Sequence, residues 1–259
     1  MTGHIAALYR HPVKGFTPER LDAARLDPAA HFPGDRLYAV EDGPSGFDPA
    51  APRHIPKMKF AVLAKIPQLA LARTLYDDDT GALSVTCATF PPFYGRLTTA
   101  EGRAAFALWL AEFLEEQAPE DEFGPLRVLP APPGHRFMDS GRGFVSVLNL
   151  DSLRHLEARL GRALDPARFR ANVLVEGWGA WSEYGLEPGR AIRLGGADLR
   201  LLADIDRCMA THVDPQSAAR DIDMVPRLHA EYGHICCGVY AEVVQGGRVA
   251  VGDEAVLGS

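Results

Sequence analysis

Glycine and proline recur so regularly along this chain that they cut its apolar pattern into short runs, and short runs closed by tight turns are the mark of a folded β-sheet. In the N-terminal third the pattern predicts strands over 4–10, 36–42, 60–66, 69–75 and 83–87. Asp77, Asp78, Asp79, Thr80 and Gly81 join the last two, since short polar side chains ahead of a glycine suit a surface hairpin turn. Pro91 and Pro92 close the segment. In the C-terminal half, strands are predicted over 144–148, 172–176, 191–194, 198–204, 239–244 and 248–251. Gly195 and Gly196 join one pair, and Gln245, Gly246 and Gly247 join another. So many turns between short strands favour a closed or nearly closed barrel over an open parallel sheet.

Two segments break this rhythm with a helical period. Phe106, Trp109, Leu110, Phe113 and Leu114 repeat at helical spacing within 98–117, and Thr98 with Glu101 forms a capping box at its start. An aromatic stripe of this spacing reads as a core contact rather than a ligand face. A second, shorter helix begins near Leu150, turns Leu153, Leu156 and Leu160 inward, and stops at Gly161. Residues 117–134, rich in proline and acidic side chains, are the junction between two parts. The expected organisation is a β-rich unit over 1–97, a helix and linker over 98–134, and a second β-rich unit over 135–259.

Composition narrows the function classes. A formal charge of −7 argues against sequence-independent nucleic-acid binding, which needs a basic face. No apolar run is long enough for a signal peptide or a membrane span, so a cytoplasmic protein with no membrane partner is expected. The four cysteines, Cys87, Cys208, Cys236 and Cys237, are too scattered for a disulfide framework or an iron–sulfur cluster. A Walker loop, a Rossmann glycine fingerprint, a nucleophile elbow and an HExxH zinc motif are all missing.

A few residues remain that carry chemistry. Cys208 lies at the end of a strand-like run, after Arg207 and before a turn signalled by Asp214 and Pro215. A neighbouring arginine favours thiolate, the form that binds soft metals. A lone cysteine is as readily a small buried hydrophobe, so spacing alone does not promote it. Cys236 and Cys237 are adjacent and would face opposite ways on a strand. Lys14, Arg36, Arg168 and Arg170 each sit beside a strand or turn; gathered at a barrel mouth they would form an anion pocket, and left apart they are solvated surface charges.

Three separated segments resemble one known family, the MOSC proteins, in their two-part form with an N-terminal barrel. The first is Tyr9-Arg10-His11-Pro12-Val13-Lys14-Gly15 followed by Pro33-Gly34-Asp35-Arg36. The second is Phe169-Arg170-Ala171-Asn172-Val173-Leu174-Val175, and the third runs from Asp206-Arg207-Cys208 to Val213-Asp214-Pro215. Their order and spacing together are specific, and they cover nearly the whole chain.

The resemblance implies an α+β, strand-dominated fold: a MOSC-type β-barrel with an N-terminal β-barrel-like subdomain and a few peripheral helices. It implies a molybdenum–molybdopterin cofactor with Cys208 as the protein ligand to the metal. Lys14, Gly15, Arg36, Arg168, Arg170, Asn172 and Arg207 are then the expected cofactor-binding residues, with Cys208 and Asp214 at the catalytic centre. Pyridoxal phosphate binding is a further property the resemblance would allow. The implied activity is reduction of small N-hydroxylated substrates with electrons from an external donor protein; the alternative is a cofactor or sulfur carrier that uses Cys208 without turnover. Two departures stand out: Arg142 and Gly143 replace the small hydroxyl residues of relatives, and Gln216-Ser217-Ala218-Ala219 replaces a glycine-containing turn.

Overall fold

A computed structural model describes residues 1–141 and 144–258, so Arg142 and Gly143 lie outside the described residues. In chain order the elements are β1 (Thr2–Arg10), β2 (Glu19–Leu21), β3 (Ala23–Leu26), β4 (Tyr38–Asp42), β5 (Arg73–Tyr76), β6 (Ala82–Thr86), β7 (Phe93–Arg96) and α1 (Ala100–Gln117). There follow β8 (Leu126–Pro130), β9 (Val145–Asn149), α2 (Leu150–Leu160), β10 (Val173–Glu176), β11 (Ala191–Leu194), β12 (Ala197–Asp206), α3 (Met224–Tyr232), β13 (Cys236–Gln245), β14 (Gly247–Ala250) and β15 (Glu254–Leu257). No helix among the described residues is long and apolar enough to cross a membrane.

Seven strands close a barrel in the order β1-β10-β9-β13-β12-β11-β15, with β15 returning to β1 and β2 appended outside β1. Its ends meet because β1 pairs antiparallel with both β10, at Leu8 against Val173, and β15, at Thr2 against Val256. The single parallel pairing among the barrel strands, β9 with β10, is bridged by α2, as a parallel pair requires a crossover. Alternate residues of these strands fill the lumen, Val145 and Val147, Val173 and Val175, Leu199 and Leu201, Val239 and Val243, while in β1 a bulge between Ile5 and Ala7 puts Ile5 and Leu8 on that face. That is the period of two expected of strands with one apolar face.

A second body is built on α1. Phe106, Leu110 and Phe113 are fully buried and pack over the β5-β6-β7 sheet and the β4-β8 pair. Trp109 and Phe113 stack at 5.2 Å, and Phe90 meets both edge-on. The aromatic stripe is a core contact, as its spacing predicts.

Several expectations need correction. Residues 60–66 are not a strand: Phe60 makes one isolated bridge to Glu41, and Ile66 then donates back to Val62 O in a tight turn. Apart from Lys65 the run is apolar throughout, so periodicity could not separate a buried turn from a strand. The start of 69–75 is a 3-10 turn, Pro67–Leu71, opened by a proline whose fixed φ suits a first helical position. Pro91 and Pro92 do not end the sheet, because β7 follows, and the 117–134 junction contains β8. The helix cap is Thr99, which accepts from Gly102 N at 3.0 Å, not Thr98. Finally, β14 does not pair with β13; it pairs with β3, Gly247 opposite Leu26 and Ala250 opposite Ala23. A Cβ on Gly247 would stand 2.0 Å from Gly196 O, so the backbone itself crowds that corner.

Candidate functional site

Cys208 leaves the barrel where β12 ends. It is extended at φ −132° and opens the 3-10 turn Met209–His212, whose Thr211 hydroxyl donates to Cys208 O at 2.8 Å. The thiol is half-buried and lines a cavity of about 460 Å³ together with Arg36, Lys57, Asp139, Arg168, Arg170, Asp204, Asp206, Arg207 and Tyr240. A narrower recess lined by Lys14, Gly15, Arg36, Lys57, Arg170 and Cys208 adjoins it. Cys208 is thus reachable and set among cations.

Each cation is held by backbone geometry. Arg36 and Arg170 both adopt left-handed φ, +46° and +52°, a conformation uncommon outside glycine that marks a constrained position. Arg170 donates to Phe16 O at 2.6 Å, and Arg36 donates to Arg170 O at 3.3 Å and to the fully buried Asp35. Asp35 also accepts from His11 N at 2.7 Å. Lys14 donates to Phe137 O at 2.9 Å and to Asp139. Gly15, at φ +87°, has room for no side chain, because a Cβ would stand 2.4 Å from Ala61 O.

The crowding shows in the titrations. Burial, then the Arg36 charge, pulls the Arg170 guanidinium down to about 10. Burial, then Arg36 and Arg170, brings His11 down to about 3, so its ring is neutral, and its Nε2 is buried without a partner. Burial would raise Asp139, but Lys14 holds it below the usual carboxylate range. At Lys57 burial is outweighed by the hydrogen bond and charge of Cys208, which raise the ammonium. Guanidiniums packed side by side in a cavity are stabilised by an anion placed between them.

Not every expected residue reaches the cavity. Asn172 is fully buried and accepts from Ser146 N and Oγ while donating to Tyr9 O at 3.2 Å. It clamps β9 to β1 behind Ser146, which does line the cavity. Asp214 does not line it either: its carboxylate accepts from Arg168 at 2.7 Å and from Gln216 N and Ser217 N. There it fixes Arg168, which is buried and also bonded to Asp221. The turn that lacks its glycine still forms, with Ala218 in the left-handed region at φ +60°. Arg207 lines the cavity with its guanidinium engaged by Cys237 O and Phe169 O at 2.7 Å each and stacked on the Phe169 ring. It is a strut for the cavity wall.

The other thiols differ from Cys208. Burial raises Cys237 and Cys236 to about 12, and Cys236 donates to Asp206 Oδ1 at 3.0 Å. Lys57, Asp139 and Tyr240 were missed from sequence. They sit in a short 3-10 turn (Lys57–Lys59), a loop and a barrel strand with no motif around them, and only tertiary closure places them beside Cys208.

Fold and cavity define a closed-barrel protein with one thiol in the lining of a cavity that gathers several guanidiniums. The comparisons with known proteins name it: residues 2–122 match the family model for the MOSC N-terminal beta barrel domain and residues 135–256 match that for the MOSC domain. The chain belongs to the MOSC family, in the form that carries both domains. It is 28% identical over 123 residues to mitochondrial amidoxime-reducing component 1 of Mus musculus, a stretch covering 43% of this chain and 35% of that protein. This chain therefore matches about a third of the length of that curated relative. Among solved structures it is similar to the YUAD protein from Bacillus subtilis, with a TM-score of 0.46 and 16% identity over 98% of this chain and 94% of that one. YiiM from Geobacillus stearothermophilus superposes with a TM-score of 0.37 and 18% identity over 51% of this chain and 67% of the other.

Proposed function

We propose that this protein binds a molybdenum–molybdopterin cofactor through the Cys208 thiolate and reduces small N-hydroxylated compounds, with electrons from a separate donor protein. The observation that carries the reading is the position of Cys208, half-buried in the lining of a cavity that it shares with Arg36, Arg168 and Arg170. The donor set fits such a group. Among the described residues no three His, Cys, Asp or Glu side chains gather to hold a metal, so a metal at Cys208 would arrive with most of its ligands on an organic carrier. A phosphate on that carrier has guanidinium forks to receive it.

Bound there, the group supplies two-electron redox chemistry at a metal centre. The chain does the rest. Lys57 lines the cavity beside Cys208 and adds a positive charge there. Arg36 and Arg170 orient the anionic end, braced by Asp35 and by Phe16 O. Asp139 and Tyr240 also line the cavity and would meet a small substrate bound there. The barrel core behind Ser146 excludes water from that side.

Purified protein from a cofactor-producing host, supplied with a reduced viologen and an N-hydroxyamidine such as benzamidoxime, is expected to release the amidine. Full molybdenum loading without amidine formation would remove the reductase reading and favour a carrier.

A further inference from the structure

We infer that the protein has a second anion site, in a cleft separate from the Cys208 cavity, that takes a small phosphate-bearing ligand. The site is a cleft of about 370 Å³ between the C-terminal end of α2 and the segment leading into α3. Arg159 and Arg162 line one side, Arg220 and Arg227 the other. The inference goes beyond the cofactor reading and does not rest on it.

Four guanidiniums and two carboxylates line this cleft, on a chain whose formal charge is −7, and Arg159 is also paired with Glu231 of α3 at 2.7 Å. One of those carboxylates is already neutralised from both sides. Asp221 accepts from Arg162 at 2.5 Å and from Arg168, which approaches from the cofactor cavity, at 2.8 Å. The other, Asp223, is exposed and lies 3.6 Å from the His212 ring. Much guanidinium capacity is left over. Arg227 makes no side-chain hydrogen bond or ion pair among the described residues, and Arg220 makes one bond, to Ala64 O at 2.9 Å. Asp223 is also the N-cap residue of α3 yet makes no side-chain cap bond, so the positive end of that helix adds to the same field.

Planar forks from two elements around a concavity of this size suit the tetrahedral oxygens of a phosphate or pyrophosphate group, which accept bidentately. Leu160 and Ile222 supply the apolar part of the lining. Because Asp221 is shared, the cleft and the cofactor cavity are joined by one chain of ion pairs, Arg162 to Asp221 to Arg168.

The test is calorimetric titration of the intact protein with inorganic pyrophosphate at low salt. A saturable site in the sub-millimolar range is expected, roughly, from several convergent charge-assisted bonds. Arg227→Glu, whose side chain supports nothing else, should weaken it at least about tenfold, and Arg162→Ala with Arg227→Ala should abolish it. Arg36→Met with Arg170→Met, in the cofactor cavity, should leave it unchanged, with melting curves confirming that each variant folds. Heat that disappears only with the Arg36 and Arg170 changes would place the anion in the cofactor cavity and overturn the inference. So would the absence of saturation in the wild type, or a hexaglutamate peptide binding more tightly than pyrophosphate.

Discussion

The α1 body and the Cys208 cavity are built on opposite terms. Around α1, Phe106, Phe113, Leu110 and Leu97 are sealed from solvent, and Trp109 Nε1 is satisfied by donating to Pro91 O at 2.8 Å. Around Cys208, by contrast, buried or half-buried cations crowd one another, Arg36 and Arg170 sit in left-handed backbone, and His11 Nε2 has no partner. The first region lowers the energy of the folded chain by removing apolar surface from water. The second brings cations together at the cost of desolvation and mutual repulsion, offset in part by ion pairs such as Arg36 with Asp35 and Lys14 with Asp139, the pattern expected where stability is given up for binding.

That contrast can be broken first at the apolar end. Phe113→Ala removes a ring stacked on Trp109 and sealed from water, and should cost about 3–5 kcal/mol in a denaturant titration. A loss below about 1 kcal/mol would mean that this body is loosely packed.

Acid should act at the other end. His11 is held down to about 3 in the folded protein, first by burial and then by Arg36 and Arg170, whereas a free imidazole titrates near about 6.5. Between those values the unfolded chain takes up a proton that the folded chain refuses. Stability contributed by neutral His11 is therefore present above about pH 6.5 and falls on acidification toward 3, with a limiting slope of about 1.4 kcal/mol per pH unit from this group. His11→Gln should flatten the stability profile between about pH 6 and pH 4; an unchanged slope would show that His11 is not the group responsible.

Arg170→Met sharpens the comparison from the binding side. It loses the bond to Phe16 O but relieves repulsion from Arg36, so stability should change by less than about 1 kcal/mol while cofactor retention falls at least about tenfold. Retention at the wild-type level would return Arg170 to a structural role. The smallest effect on the metal is expected at Asp214→Asn, because that carboxylate braces Arg168 and a turn outside the cavity. Molybdenum content should match the wild type, at a stability cost of roughly 1 kcal/mol.

The sequence was informative where local pattern decides structure. Alternation around Leu199 and Leu201, or around Val145 and Val147, marks barrel strands because one face of each meets the lumen. The period through Phe106, Leu110 and Phe113 likewise marks α1. Pairings between distant segments leave no such trace: nothing near Thr2 announces Val256, and nothing in β14 announces β3. The candidate site divides in the same way. Cys208, Arg36 and Arg170 lie in segments that resemble a family, but the same segments also suggested Asp214 and Asn172, which the fold places behind the cavity wall. Lys57, Asp139 and Tyr240 carry no local signal, since only their burial beside Cys208 gives them meaning.

Metal content is the most direct test of the account. Wild type and Cys208→Ala, expressed side by side in a host that makes molybdenum cofactor and purified without added metal, should differ sharply: close to one molybdenum per wild-type chain, and near none in the variant at equal folded yield. Equal molybdenum in the two, or none in either, would contradict the assignment of Cys208 as the anchoring ligand.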